Sequence, residues 1–127
     1  MTNKVSILGC GWLGLPLAEL LVNNGHQVFA STTDLNKFNS LKSVGAYPFH
    51  LTLTPQLSCK NNSSFFSSDV LFILLPFKRS YDDPNFYFDQ LSEVLSYVNK
   101  SSIRFIIFTS STSIYGLPNQ ICTEKTL

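Results

Sequence analysis

A chain of 127 residues is long enough to form one domain with a real core, and 44% apolar against 13% charged residues excludes a disordered polymer. The net charge of +1 gives no electrostatic reason to expect nucleic acid or an acidic membrane surface as partner. Cys10, Cys59 and Cys122 are odd in number and far apart, without Cys-x-x-Cys spacing, and read as buried or incidental thiols of a reducing compartment.

The opening run MTNKVSILGCG is broken at once by glycines and makes a poor signal peptide. No run approaches the ~20 apolar residues of a membrane span. The sequence therefore predicts a soluble, cytoplasmic protein.

Residues 5–8 form a short apolar run ending in glycines, the predicted first strand. Residues 12–24 follow with helical spacing: Leu13, Leu17, Leu20, Leu21 and Asn24 share a face, and Gly25 stops the helix. Pro16 fits only if the helix starts late enough to hold it in the first turn. Residues 27–31, QVFAS, read as the second strand. Thr33 or Asp34 caps a short helix ended by Gly45. Residues 46–51 make a weaker third strand, which Pro48 consigns to an edge. Residues 52–67 are polar and predict a loop with at most one turn of helix. Residues 70–75, VLFILL, suit a strand covered on both faces. Residues 86–99 predict a helix with Phe88, Leu91, Leu95 and Val98 inward, and residues 105–108, FIIF, another doubly buried strand.

The order β-α-β-α-β-loop-β-α-β implies a parallel sheet with helices on both faces. Right-handed crossovers favour a Rossmann-like, doubly wound α/β fold, strand order 3-2-1-4-5, in a single domain.

The first strand runs into GCGWLG, a G-x-G-x-x-G turn with a strand before it and a helix after it. Gly9 permits the tight turn, Gly11 lets backbone approach a pyrophosphate, and Gly14 lets the helix pack on the strand. The turn as a whole (Gly9, Cys10, Gly11, Trp12, Leu13 and Gly14) is the predicted cofactor cradle, with the helix N-terminus facing the phosphates. NAD sites place an acidic residue at the end of the second strand. Here Thr32 holds that position, between Ser31 and Thr33, and Lys37 is near. Small hydroxyls and a cation favour NADP over NAD, and Asp34 reads as a helix cap.

With GCGWLGLPLA at one end and FIIFTSSTSIYG at the other, the chain resembles the extended short-chain dehydrogenase/reductase superfamily. It looks most like an atypical branch of NAD(P)-binding, epimerase/dehydratase-like proteins. The resemblance covers essentially the whole chain. It implies that Ser111, four residues before Tyr115-Gly116, is a catalytic hydroxyl orienting the substrate oxygen. It also implies a small-molecule substrate, including the sugar-nucleotide class.

The family's Tyr-x-x-x-Lys pair is absent: Tyr81, Tyr97 and Tyr115 are followed at the fourth position by Asn85, Ser101 and Asn119. The chain thus reads as a cofactor half, inactive alone, whose substrate-binding C-terminal part lies elsewhere. A non-catalytic dinucleotide-binding module, sensing redox state or acting by association, is the rival reading.

Leu75, Pro76 and Phe77, beside the switch point, join the predicted cofactor contacts, as does Ser110. Lys78 and Arg79 read as anion contacts or solvated charges, and Tyr115 as a packing residue. His26 and His50 have no ligand cluster around them and predict no metal site. The FIIF strand predicts an exposed apolar edge and a homodimer through residues 104–109 if the sheet ends there.

Overall fold

A computed structural model of the chain describes residues 2–76, 83–109, 123 and 125. The elements in order are β1 (Lys4–Leu8), α1 (Gly14–Asn23), β2 (Gln27–Thr32), a 3₁₀ turn (Leu35–Lys37), α2 (Phe38–Ser43), β3 (Tyr47–His50), β4 (Thr52–Leu53), β5 (Leu57–Ser58), α3 (Asn62–Phe65), β6 (Val70–Ile73), α4 (Phe86–Val98) and β7 (Phe105–Phe108). Five strands form one parallel sheet in the order β3-β2-β1-β6-β7. This is the predicted doubly wound order, with the antiparallel hairpin β4–β5 inserted after the third strand.

The register centres the sheet on β1. Ser6 faces Phe29 of β2 on one side and Leu71 of β6 on the other. The chain winds outward from β1 to β3, then returns to begin β6 beside β1. That return opens a crevice at the carboxyl ends of the two strands.

One face of the sheet carries Leu8, Phe29, Leu71 and Ile73 against α3, α4 and the β4 hairpin. Aromatic rings run along it from Tyr47 through Phe29, Phe49, Phe65 and Phe66 to Tyr97, with neighbouring centroids 5.2–5.7 Å apart. The three pairs between Phe29 and Phe66 meet edge to face, an arrangement that adds about 0.5–1.5 kcal/mol each beyond the area buried. The Ser6 hydroxyl, fully buried in β1, donates to the Phe65 carbonyl and ties α3 to the central strand. The other face carries Ile7, Val28 and Ala30 against α1 and α2.

Several local expectations change. Helix α1 begins at Gly14 rather than at residue 12, so Pro16 falls in its first turn, where its missing N–H costs nothing. Its buried positions are Gly14 and Ala18, while Leu13 and Leu20 are exposed. Small residues let the helix axis lie close to the sheet, with the predicted Leu17 and Leu21 packed at the sides of that contact. Helix α4 likewise buries Gln90 and Val94, with Leu91, Tyr97 and Val98 packed beside them. Phe88 and Leu95, predicted inward, are exposed.

The predicted loop of residues 52–67 holds β4, β5 and α3, because Leu53 and Phe65 anchor it in the core. The strand of residues 70–75 ends at Ile73. Strand β3 is an edge strand, as Pro48 required. Strand β7 is not doubly buried: Phe105, Ile106, Ile107 and Phe108 are 62%, 41%, 46% and 47% exposed. It pairs with β6 alone among the described strands. No helix of the described residues is long and apolar enough to cross a membrane.

Candidate functional site

The crevice between β1 and β6 opens into a cleft of about 620 Å³, within the range of sites for small ligands and cofactors. Its floor is the glycine turn. Gly9 has φ +88°, a backbone conformation that L side chains rarely adopt, and an added Cβ would meet the Leu74 carbonyl oxygen at 3.2 Å. The turn is pinned to β2: the Gly9 amide donates to the Ser31 hydroxyl (3.0 Å), and the Cys10 amide to the Ser31 carbonyl (2.8 Å). An added Cβ at Gly14 would stand 3.1 Å from the Cys10 sulfur, so this glycine lets α1 start against the turn. At Gly11 an added Cβ meets nothing within 4 Å, because this glycine faces open space.

The amides of Gly9, Cys10 and Gly11 are bonded within the chain, Gly11 to the Gly9 carbonyl at 3.0 Å. Those of Trp12, Leu13 and Gly14 have no such partner among the described residues. The residue at the cap position is Leu13, whose side chain cannot accept a hydrogen bond, and the first turn holds no acidic residue. Helix starts are ordinarily capped by Ser, Thr, Asp or Asn. Here neither a capping side chain nor a first-turn carboxylate meets the positive end of the dipole among the described residues.

The walls come from four further segments. The end of β2 contributes Ser31, Thr32 and Thr33 with Lys37 beyond them, and the β4 hairpin contributes residues 51–54. Leu74, Leu75 and Pro76 follow β6, and Gln90 and Thr109 complete the lining. Helix α4 holds two walls in place, with the Tyr87 hydroxyl on the Leu75 carbonyl (3.1 Å) and Gln90 Nε2 on the Leu53 carbonyl (3.0 Å).

The cleft thus gathers Gly9, Cys10, Gly11, Trp12, Leu13, Gly14, Ser31, Thr32, Thr33, Leu75 and Pro76 of the predicted contacts. Phe77, Lys78, Arg79, Ser110, Ser111 and Tyr115 lie outside the described residues. The Ser31 side chain is buried and already accepts from Gly9. Thr32 Oγ1 accepts from the Asp34 amide (3.1 Å), and Asp34 Oδ1 accepts from the Asn36 amide (2.9 Å), the helix-cap role predicted for Asp34.

Burial pushes the Cys10 thiol up from 9.0 to about 11, with the Lys37 ammonium pulling weakly the other way. The side chain packs in the core beside α1. Lys37 and the glycine turn line the same cleft.

Sequence reasoning missed the β4 hairpin, Gln90 and Thr109. A signal for Gln90 exists: it stands four residues before Val94, on the inward face of α4. The hairpin gave none, because two-residue strands have no readable period.

No protein-family model matches this chain. It is 37% identical over 116 residues to Protein YeeZ of Escherichia coli, strain K12, a match covering 90% of this chain and 42% of that protein. Protein YeeZ of Escherichia coli O157:H7 matches to the same extent. The chain thus spans less than half the length of the curated relatives it matches.

Among solved structures, a UDP-glucose-4-epimerase from Stenotrophomonas maltophila with bound NAD superposes with TM-score 0.67 at 15% identity, over 98% of this chain and 42% of that one. A functionally unknown conserved protein from Silicibacter pomeroyi superposes with TM-score 0.58 at 16% identity, over 89% of this chain and 37% of that one. At such identities the likeness establishes the fold, which is Rossmann-like.

Proposed function

We propose that this chain is the nicotinamide-dinucleotide-binding part of an oxidoreductase or epimerase of the extended short-chain dehydrogenase type, with NADP as the preferred cofactor. The observation that carries the reading is the uncapped start of α1, whose unpartnered amides open onto a cleft that Gly11 leaves clear. A pyrophosphate fits both features: it takes N–H donors and needs backbone to come close. That the similarly folded Stenotrophomonas epimerase holds NAD supports the same reading.

The NADP preference rests on the end of β2. Among the described residues no carboxylate lines the cleft there, Thr32 and Thr33 do, and Lys37 adds a cation. A ribose 2′-phosphate suits that surface better than a bare diol does.

When bound, the cofactor supplies hydride exchange at the nicotinamide ring. The residues of this chain bind and orient it. Gly9 and Gly14 shape the cradle, α1 neutralises the pyrophosphate, and the β2 end selects the ribose. In a full-length enzyme of this type Ser111, two positions after the cleft residue Thr109, would hold the substrate oxygen of a small molecule such as a sugar-nucleotide.

Calorimetric titration with NADPH and then NADH tests this reading. Trp12, the chain's single tryptophan, is 88% exposed at the cleft rim and provides a fluorescence signal alongside. NADPH is expected to bind about tenfold or more tightly than NADH, and Lys37→Glu to reverse the order. Failure of a folded chain to bind either one ends the reading.

A further inference from the structure

Gln90 is 4% exposed, lines the cleft, and has a side-chain oxygen without a hydrogen-bond partner among the described residues. Its other amide atom is spent, since Nε2 donates to the Leu53 carbonyl at 3.0 Å. That bond fixes the plane of the amide and leaves Oε1 unpartnered, buried just beneath the lining of the cleft. Buried acceptors are nearly always satisfied, so an orphan on a cleft wall points to a donor that arrives with a ligand.

The donor's identity follows from what surrounds it. Leu51 and Leu53 are buried apolar residues of the same wall, and the Leu51 amide donates to the Thr32 carbonyl at 3.1 Å. This wall therefore adjoins the end of β2, where the proposed function puts the adenosine ribose. On that reading the base carried by the ribose would lie against Leu51 and Leu53, and the nicotinamide end across the pyrophosphate, toward Leu75 and Thr109. A flat apolar ring with an N–H donor on its edge is the ligand this wall fits, and the exocyclic amine of adenine is such a donor.

We propose that Gln90 Oε1 accepts a hydrogen bond from the adenine amine and makes this site specific for adenine over purines carrying a carbonyl there. The proposal rests on the dinucleotide reading. A carbonyl in place of the amine would set two acceptors face to face, a mismatch that buried sites reject strongly.

The test compares NADPH with its hypoxanthine counterpart, which carries a carbonyl in place of that amine and a proton on the neighbouring ring nitrogen. The wild-type chain is expected to bind the hypoxanthine form about tenfold or more weakly. Gln90→Leu or Gln90→Met is expected to weaken NADPH by about tenfold and to leave the hypoxanthine form within about twofold. Equal binding of both dinucleotides by the wild type, or undiminished discrimination by a folded Gln90 variant, overturns the assignment while the dinucleotide reading stands. Binding of neither overturns both.

A measurement on the unmodified chain decides the matter should both variants fail to fold. The Gln90 side-chain amide resonances should shift with adenosine 2′,5′-bisphosphate and not with nicotinamide mononucleotide. The reverse pattern would place Gln90 at the other end of the cofactor and sink the proposal.

Discussion

The Gly9 amide donates to the Ser31 hydroxyl at 3.0 Å, joining the first residue of the glycine turn to the end of the neighbouring strand. Ser31 is 2% exposed, so water cannot replace the bond. Ser31→Ala leaves a donor unsatisfied, at a cost of about 1–2 kcal/mol. Urea denaturation should show that loss, and dinucleotide affinity should fall with it. A change below about 0.5 kcal/mol would mean that the turn is held by its other contacts alone.

The three glycines of the turn should fail in different ways. Gly11→Ala adds a methyl to open space, so stability should stay within about 0.5 kcal/mol of wild type while dinucleotide binding drops at least tenfold. Gly9→Ala forces an L residue to φ +88° beside the Leu74 carbonyl. Gly14→Ala crowds the Cys10 sulfur at 3.1 Å. Each of the latter two should lose about 1–3 kcal/mol of stability before any ligand is added. Thermal melts of the three variants, followed by titration, separate the roles. A destabilised Gly11→Ala chain would refute the assignment of its cost to the ligand.

Cys10 predicts a pH dependence. Its thiol ionises near 9.0 when exposed and near 11 in the folded chain, because burial disfavours the thiolate. Between those values the unfolded chain holds fewer protons at this site than the folded one, so stability falls as pH rises. The contribution is whole below about pH 9 and is lost by about pH 11, at most a few kcal/mol. Unfolding free energies from pH 8 to 11 should therefore decline more steeply in wild type than in Cys10→Ala. Parallel curves would show that other groups set the alkaline limit.

Strand β7 presents four exposed apolar side chains at the edge of the sheet that the described residues form. Such edges recruit a further strand, and a second copy of this chain offers one. We expect concentration-dependent dimerisation in sedimentation experiments, abolished by Ile106→Lys, with the dinucleotide affinity of the monomer unchanged. A wild-type chain that stays monomeric at all concentrations would dispose of this idea.

Much of the fold was legible in the residues themselves. Strand and helix alternate with periods that local chemistry dictates, and parallel strands with right-handed crossovers leave few ways to order them. The glycine turn was legible for a similar reason: a strand, three spaced glycines and a helix are contiguous in the chain, and each glycine answers a short-range need. Tertiary structure decided which face of each helix lies inward. Gly14 and Ala18 bury α1 by being small, and Gln90 goes inward because the Leu53 carbonyl offers its amide a partner. It also brought the β4 hairpin and Gln90 to the glycine turn, residues far apart in the chain that meet only because the sheet aligns its strand ends along one crevice. Contacts between distant segments depend on the packed geometry of the whole sheet, and no local period encodes them.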